Sequence, residues 1–232
     1  MRLPLLAIPC SILFASCSTL PSELGEEGAG VGLSGKRVVL VHGIFDTRIT
    51  MIPLRKALEN DGFQCFMPSL RPADGRGGLE SMAQQLEAFI EEEFGPDETF
   101  SIVAFSMGGL VSRHYLQELG GVRRCRGFHT IATPHRGTYF AYLYPNAGTR
   151  QMRPRSAFLD ELETAEGAFT TMPVTAYYNP YDNVILPAEN SMWDQAENVS
   201  IKSAIHTGVL WKKALHEDLI DRLNREQSSE PG

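Results

Sequence analysis

The stretch that decides the fold is Phe100-Ser101-Ile102-Val103-Ala104-Phe105-Ser106-Met107-Gly108-Gly109. It is an apolar run that ends on a serine and passes at once into two glycines. A buried strand that turns sharply into a helix has this pattern, and such a turn holds its serine in a strained conformation with the hydroxyl exposed. The pattern matches the nucleophile elbow G-x-S-x-G, except that Ala104 replaces the first glycine. Ser106 is therefore the candidate nucleophile; the alternative is an ordinary strand-turn-helix with an accidental serine.

A serine nucleophile needs a histidine base, and the histidine needs a carboxylate that fixes its tautomer. Two downstream segments supply these groups. The run 174–185 is strand-like and ends in a Pro/Asp/Asn turn that contains Asp182, and the run 199–208 releases His206 into a glycine turn. Side chains that follow parallel strands gather at one edge of the sheet. Asp182 and His206 are therefore the candidate acid and base.

Other acidic and histidine residues fit these roles less well. His216 lies beside two carboxylates in the last helix, and His114 follows Ser106 on its helix. His129 falls within a strand, where a structural histidine is expected. Asp160 and Asp194 lie in a helix-like region and in a loop without a preceding strand. We interpret His216 as a surface residue, and none of the five as catalytic.

Acyl transfer also requires donors directed at the tetrahedral oxyanion. One is normally the amide of the residue after the nucleophile, here Met107. The second is expected in a loop after an earlier strand, and the run 37–41 breaks at His42-Gly43. The amide of Ile44 is the candidate second donor.

Strand-like and helix-like segments alternate along the chain. The predicted strands are 37–42, 63–67, 100–105, 125–132, 173–178 and 199–205, and the predicted helices are 51–60, 79–94, 107–119 and 208–225. Alternation of this kind predicts an α/β fold with a parallel sheet covered on both faces. With 232 residues, 43% of them hydrophobic, the chain is long enough for one domain with a substantial core.

An insertion separates the fourth and fifth predicted strands, at 138–172. Five aromatic or leucine residues cluster at 139–144. Ser156 precedes an apolar stripe, which predicts that a helix begins there. One interpretation is a small cap with an aromatic wall over the pocket; the other is a side helix packed on the body. A glycine-rich loop at 74–78 is a further candidate for the rim of the site.

The chain resembles the α/β-hydrolase superfamily, and within it the bacterial lipases and esterases, from Lys36 to Leu223. The resemblance is carried by Val41-His42-Gly43-Ile44, Ala104-Phe105-Ser106-Met107-Gly108-Gly109, Thr133-Pro134-His135-Arg136-Gly137-Thr138, Tyr181-Asp182-Asn183-Val184 and His206. It implies a mostly parallel sheet of about six strands with helices on both faces and a small cap segment. It also implies the order serine, acid, histidine, which excludes His135 as the base and leaves 133–138 a structural and pocket-lining role.

The activity implied by the resemblance is cleavage of carboxylic esters through an acyl-enzyme, by an esterase or lipase. Acyltransferase, thioesterase and amidase activity on the same triad stay open, as does a non-catalytic binding protein of the cell envelope. The expected partner is a small-molecule or lipid ester, and we expect a monomer.

The sequence predicts a targeting segment at residues 1–17. A flexible tether is expected at 18–35, and the hydrolase domain at 36–227. Leu13-Phe14-Ala15-Ser16-Cys17 resembles the lipobox of bacterial lipoproteins, which predicts lipidation of Cys17. The alternative is a hydrophobic anchor that is not cleaved. We expect an exported protein, either attached to the cell envelope (outer membrane or periplasm) by this lipid or secreted.

Charge and motif content narrow the partners further. The net charge of −7 argues against nucleic acid, since phosphate binding needs a basic surface. There is no H-E-x-x-H pattern, metal-ligand spacing or phosphate-cradling glycine loop, so no metal or cofactor is expected. In the family topology two strands would separate Cys65 from Cys125, and we therefore expect both as free thiols.

Overall fold

A six-stranded parallel β-sheet forms the centre of the computed structural model, which describes residues 36–228. Its strands are β1 (Arg37–Val41), β2 (Gln64–Phe66), β3 (Phe100–Phe105), β4 (Cys125–Ile131), β5 (Val174–Tyr178) and β6 (Glu197–Ser200). They lie in the order β2-β1-β3-β4-β5-β6, and every neighbouring pair is parallel. The predicted α/β fold is confirmed.

Helices cover both faces of this sheet. They are α1 (Ile52–Asn60), α2 (Leu79–Glu93), α3 (Met107–Glu118), α4 (Ala147–Gln151), α5 (Ala157–Thr164) and α6 (Lys213–Ser228). Residues of α2, α3 and α5 share one core with Val39 and Val41, whereas residues of α1 and α6 share another with Val38 and Leu40. Successive side chains of a strand point to opposite faces, so a single strand such as β1 contributes residues to both cores.

The sequence interpretation was wrong about the segment around His206. The predicted strand 199–205 ends at Ser200, because its only neighbour in the sheet, β5, ends at Tyr178 and pairs there with Ser200. The predicted helix 208–225 begins at Lys213, and Thr207–Trp211 form a 3-10 helix. His206 therefore lies in a loop beyond the sheet rather than at the tip of a strand.

The two halves of the insertion at 138–172 pack differently. Its first half, the 3-10 helix Tyr139–Tyr142 and α4, lies beside Ser106, where it lines a cavity. Its second half contains α5, whose Leu162 carbonyl accepts hydrogen bonds from Arg113 (3.1 Å) and Gln117 (2.7 Å) of α3. That half is a side helix packed on the body.

The remaining sequence predictions concern the N-terminal segment and the two cysteines Cys65 and Cys125. The targeting segment, Cys17 and the tether lie outside the described residues. No helix between residues 36 and 228 has the length and apolarity needed to cross a bilayer. Cys65 and Cys125 lie on β2 and β4, with β1 and β3 between them, and form no disulfide.

Candidate active site

Ser106 occupies the sharp turn between β3 and α3. Its φ of 53° and ψ of −126° lie in a region that residues other than glycine rarely adopt, at a cost of about 1–3 kcal/mol. Three hydrogen bonds hold it there. The Ser106 amide donates to the Ile131 carbonyl (2.8 Å), and the Ser106 carbonyl accepts from Thr133 Oγ1 (3.0 Å) and the Gly109 amide (3.0 Å).

The glycine two residues after Ser106 is needed for close packing. A Cβ on Gly108 would lie 2.5 Å from the His42 carbonyl oxygen and 2.8 Å from that of Val41, which is too close for any side chain. Glycine therefore lets the first turn of α3 approach the end of β1. This brings the loop that contains Ile44 next to the serine.

Asp182 and His206 form a hydrogen-bonded pair. The Nδ1 atom of His206 lies 2.8 Å from Asp182 Oδ2 and 3.0 Å from Oδ1, and both side chains are buried. Burial alone would raise the pKa of Asp182. The hydrogen bonds from His206 and from the amides of Ile185 and Val184 outweigh it and hold that pKa below its usual value. An ionised Asp182 keeps the proton of His206 on Nδ1 and leaves the lone pair on Nε2.

His206 and Ser106 line the same cavity, of about 380 Å³. The Nε2 atom of His206 is buried and has no hydrogen-bond partner among residues 36–228. The Ser106 hydroxyl and Nε2 are not hydrogen-bonded, and the imidazole packs on the Phe105 ring with centroids 4.8 Å apart. Such contacts are often long before substrate binds and tighten in the complex.

Two asparagines that the sequence interpretation missed hold the acid and base loops together. The His206 amide donates to Asn183 Oδ1 (2.9 Å). Asn179, fully buried, donates to the Ser203 carbonyl (3.0 Å) and accepts from the amides of Ser203 (3.0 Å) and Tyr181 (3.2 Å). For Asn179, the only sequence signal was that a polar residue stands immediately after β5 and before Pro180.

The predicted oxyanion donors, the amides of Ile44 and Met107, flank Ser106. Neither donates a hydrogen bond to another group within residues 36–228. Met107 begins α3, where helix amides are unpaired and the helix dipole is positive. Beside Ile44, the positive φ of Phe45 (57°) and its hydrogen bond to the Ala73 carbonyl (2.8 Å) shape the turn.

Two cavities meet at Ser106. The larger contains His206, and the smaller, of about 30 Å³, extends toward the insertion. Both cavities are lined by Ile44, Phe45, Ser106, Phe140 and Val184. The larger cavity is also lined by Phe105, Ile205 and Thr207. The smaller cavity is also lined by Pro134, Ala141, Thr149 and Met152. The lining is mostly apolar, which suits a substrate with hydrocarbon groups on both sides of the reacting atom.

His42 and His135, the histidines nearest the site in the resembling motifs, have structural hydrogen bonds. His42 Nδ1 donates to the Gly43 carbonyl (2.9 Å), and Nε2 accepts from the Leu70 amide (3.1 Å). Burial lowers its pKa. His135 stacks on Trp193 with centroids 4.6 Å apart, and burial, with nearby arginines, holds its pKa well below the usual value. His135 lines neither cavity at Ser106, whereas Pro134 and Thr138 line the smaller one.

The remaining alternatives lie away from Ser106. His129 Nε2 donates to Glu226 (2.8 Å), and His114 stacks on Phe158. His216, predicted to be a surface residue, is partly exposed and donates to the Leu210 carbonyl (2.8 Å). Asp160 and Asp194 are exposed. No group of three His, Cys, Asp or Glu side chains in the described part of the chain is arranged to hold a metal ion.

The fold and this arrangement at the edge of the sheet agree with the comparison to known families. The family model for the alpha/beta hydrolase fold matches residues 36–211. The chain belongs to this family, whose fold supports hydrolase activity. A search of curated proteins finds no match.

Solved structures with the same fold include several lipases. The mature form of Bacillus licheniformis lipase BlEst2 is 13% identical, with a TM-score of 0.67 over 86% of this chain and 96% of that one. Aspergillus fumigatus lipase B is 16% identical, with a TM-score of 0.66 over 85% of this chain and 55% of that one. A structure described as the metagenome-derived lipolytic enzymes LipS and LipT is 16% identical, with a TM-score of 0.60 over 82% and 93%. At these identities the likeness concerns the fold.

Proposed function

We propose that this protein is a carboxylic ester hydrolase that acts through Ser106, His206 and Asp182. One observation carries the proposal. His206 is oriented by Asp182 through Nδ1, its Nε2 has no partner in the described chain, and its side chain lines the same cavity as Ser106. An oriented imidazole that shares a cavity with a strained serine is the arrangement that general-base activation requires. The lipases and lipolytic enzymes that share the fold support the choice of esters.

In the proposed reaction, Ser106 Oγ attacks the ester carbonyl carbon and its proton passes to His206 Nε2. The amides of Ile44 and Met107 hold the oxyanion. When the intermediate collapses, the C–O bond to the alcohol breaks and Nε2–H protonates the leaving oxygen. Water then attacks the acyl-enzyme with His206 as base, which releases the acid and restores Ser106.

The two cavities suggest how the ester lies. The leaving oxygen must reach His206, so we assign the alcohol to the larger cavity, which His206 lines. The acyl chain then enters the smaller cavity, between Ala141, Thr149 and Met152. Its volume favours short acyl chains.

The test is hydrolysis of p-nitrophenyl esters of increasing acyl length by the wild type and by Ser106→Ala. We expect Ser106→Ala to lower kcat by about 10⁴-fold or more without loss of folding. Ser112→Ala is the matched control. Ser112 is a fully buried serine of α3 whose hydroxyl has no partner among residues 36–228, so its removal should leave activity unchanged.

Two further measurements separate the alternatives. A fluorophosphonate should label wild type and spare Ser106→Ala; failure to label either would favour a non-catalytic binding protein. A competing alcohol in the assay distinguishes hydrolysis from acyl transfer, because transfer yields a new ester. If Ser106→Ala retains most of the esterase activity, the mechanism is wrong.

We also propose that the chain is exported and carries a lipid on Cys17, as the lipobox-like segment 13–17 suggests. Mass spectrometry of the N-terminal peptide from the native host, with Cys17→Ser as control, tests this. An unmodified Cys17 within an intact N-terminus would contradict it.

A further inference from the structure

The large apolar side chains exposed in the described chain are all found in loops that follow the carboxyl ends of strands. There are eleven: Phe45, Ile49, Tyr139, Phe140, Tyr142, Leu143, Tyr144, Tyr181, Leu186, Ile205 and Trp211. Because every strand is parallel, these loops emerge at one edge of the sheet, the edge that also holds Ser106. We call this set the apolar collar. Exposed apolar groups concentrated in this way mark an interaction surface.

Members of the collar contact one another around the mouth of the site. The rings of Phe45 and Tyr144 lie 5.0 Å apart. The Tyr139 amide donates to the Leu186 carbonyl (3.0 Å), which joins the loop after β4 to the loop after β5. Phe45, Phe140 and Ile205 line the larger cavity together with Ser106. Part of the collar therefore lines the entrance to Ser106, and the rest lies at the same edge of the sheet.

The same loops carry a positive charge on an acidic protein. Segments 42–51, 67–78, 132–156, 179–196 and 201–212 hold nine basic residues and five acidic ones, a net charge of +4, whereas the whole chain has −7. The basic residues are Arg48, Arg71, Arg76, Arg136, Arg150, Arg153, Arg155, Lys202 and Lys212, and the acidic ones are Asp46, Asp74, Asp182, Glu189 and Asp194.

Many of these cations have no carboxylate partner among residues 36–228. Arg76 pairs with Asp74 and Arg136 with Asp194. Arg48, Arg71, Arg150, Arg155, Lys202 and Lys212 are exposed and form no ion pair with a carboxylate within residues 36–228. They are available to an external anion.

We propose that the apolar collar and its unpaired cations dock the protein on an anionic lipid surface, with the mouth of the Ser106 cavity facing the lipid. Aromatic and aliphatic side chains bury in the interfacial layer, and Lys and Arg bind the anionic headgroups. A second copy of the chain fits this face less well, because docking collar to collar would oppose two faces of net charge +4. Delivery to Ser106 of an ester that partitions into the lipid rests on the proposed function, whereas the docking itself does not.

The chain contains a natural probe for this docking. It has two tryptophans: Trp193 is 3% exposed in the core, and Trp211 is 71% exposed in the collar. The experiment uses the full chain with Ser106→Ala and vesicles of phosphatidylcholine, alone or mixed with phosphatidylglycerol, both carrying brominated acyl chains. We expect the bromines to quench Trp211 on the anionic vesicles and much less on the zwitterionic ones. The Trp211→Phe variant shows whether the quenched fluorescence comes from Trp211. A lipid at the N-terminus would tether the chain to the vesicle without burying Trp211, so it would not by itself cause quenching.

A matched pair of triple variants tests the role of charge. Arg150→Gln with Lys202→Gln and Lys212→Gln removes three collar cations, and Lys56→Gln with Arg123→Gln and Arg225→Gln removes three exposed cations elsewhere. Each basic side chain near an anionic surface strengthens binding roughly fivefold. We therefore expect partition, measured from Trp211 quenching, to weaken about 100-fold for the first triple and little for the second, with the circular dichroism of both unchanged.

Three outcomes would overturn the proposal: no quenching, equal quenching on both kinds of vesicle, or equal effects of the two triples. Self-association without vesicles that the collar triple abolishes would point to a second copy instead. Quenching in Ser106→Ala alongside a wild type that cleaves no ester would keep the docking and refute the proposed function. Esterase activity on soluble esters without quenching would keep the proposed function and refute the docking.

Discussion

Replacing Asn179 by alanine tests whether the loops that carry Asp182 and His206 are positioned by one buried amide. Asn179 makes three hydrogen bonds, two to Ser203 and one to Tyr181, and is completely buried. The change leaves the Ser203 amide and carbonyl without these partners. Because Ser203 lies three residues before His206, the loss should displace the base rather than the nucleophile.

The size of the effect follows from the number of bonds. Each net hydrogen bond contributes about 0.5–1.5 kcal/mol, and a buried group left unpaired adds to the loss, so we expect about 2–4 kcal/mol of destabilisation. A shift of the imidazole by about 1 Å would lower kcat by roughly 100-fold. KM should change little, because Asn179 lines neither cavity at Ser106.

Urea unfolding and steady-state kinetics on a p-nitrophenyl ester measure the two effects separately. Asn198→Ala is the control. Asn198, on β6, also makes three hydrogen bonds, to Trp193 and Ala196 in the segment before that strand, and lines neither cavity at Ser106. It should lose stability and keep kcat. A normal kcat in folded Asn179→Ala, or an equal fall in kcat for Asn198→Ala, would refute the positioning argument.

Three further predictions concern the turn, the acid and the smaller cavity. Gly108→Ala should destabilise the protein by about 3 kcal/mol, seen as a lower urea midpoint, because its Cβ would lie 2.5 Å from the His42 carbonyl oxygen. The pKa of Asp182 is lowered in the folded state from 3.8, so its stabilising contribution is complete above that value and lost as pH falls through the folded pKa. The gap in unfolding free energy between wild type and Asp182→Asn should therefore be constant near neutral pH and narrow in strong acid; a gap that widened there would contradict this sign. Met152→Phe should fill the smaller cavity and shift the ester preference to shorter acyl chains, and an unchanged chain-length profile would reject the acyl assignment.

The parts of the fold that the sequence predicted are those set by local pattern. The run Phe100–Phe105 is buried at every position, and the apolar spacing of α2 matches the residues that pack on the sheet. Ser106 was recognisable because the turn demands small residues at fixed offsets from it. These signals lie within a few residues of the feature they predict.

The parts that the sequence did not predict depend on partners distant in the chain. The length of β6 is limited by the end of β5, which no pattern within 197–205 reveals. The two interpretations of the insertion stayed open because the contact that attaches its second half to the body involves a distant residue. That contact is the hydrogen bond from Arg113, on α3, to the Leu162 carbonyl. Asn179 and Asn183 gave little signal, since an asparagine in a turn is common whether or not it reaches a second loop.

The two halves of the candidate site are stabilised differently. Ser106 is held from three sides: by the β4 carbonyl of Ile131, by Thr133 and by the close approach of Gly108 to β1. These contacts belong to the central strands, which offset the strain of the positive φ. His206 lies beyond the last strand, and its loop is attached to the acid loop through Asn179, Asn183 and the Asp182 pair. The nucleophile is therefore rigid by virtue of the core, whereas the base depends on a few polar contacts at the edge, beside the apolar collar.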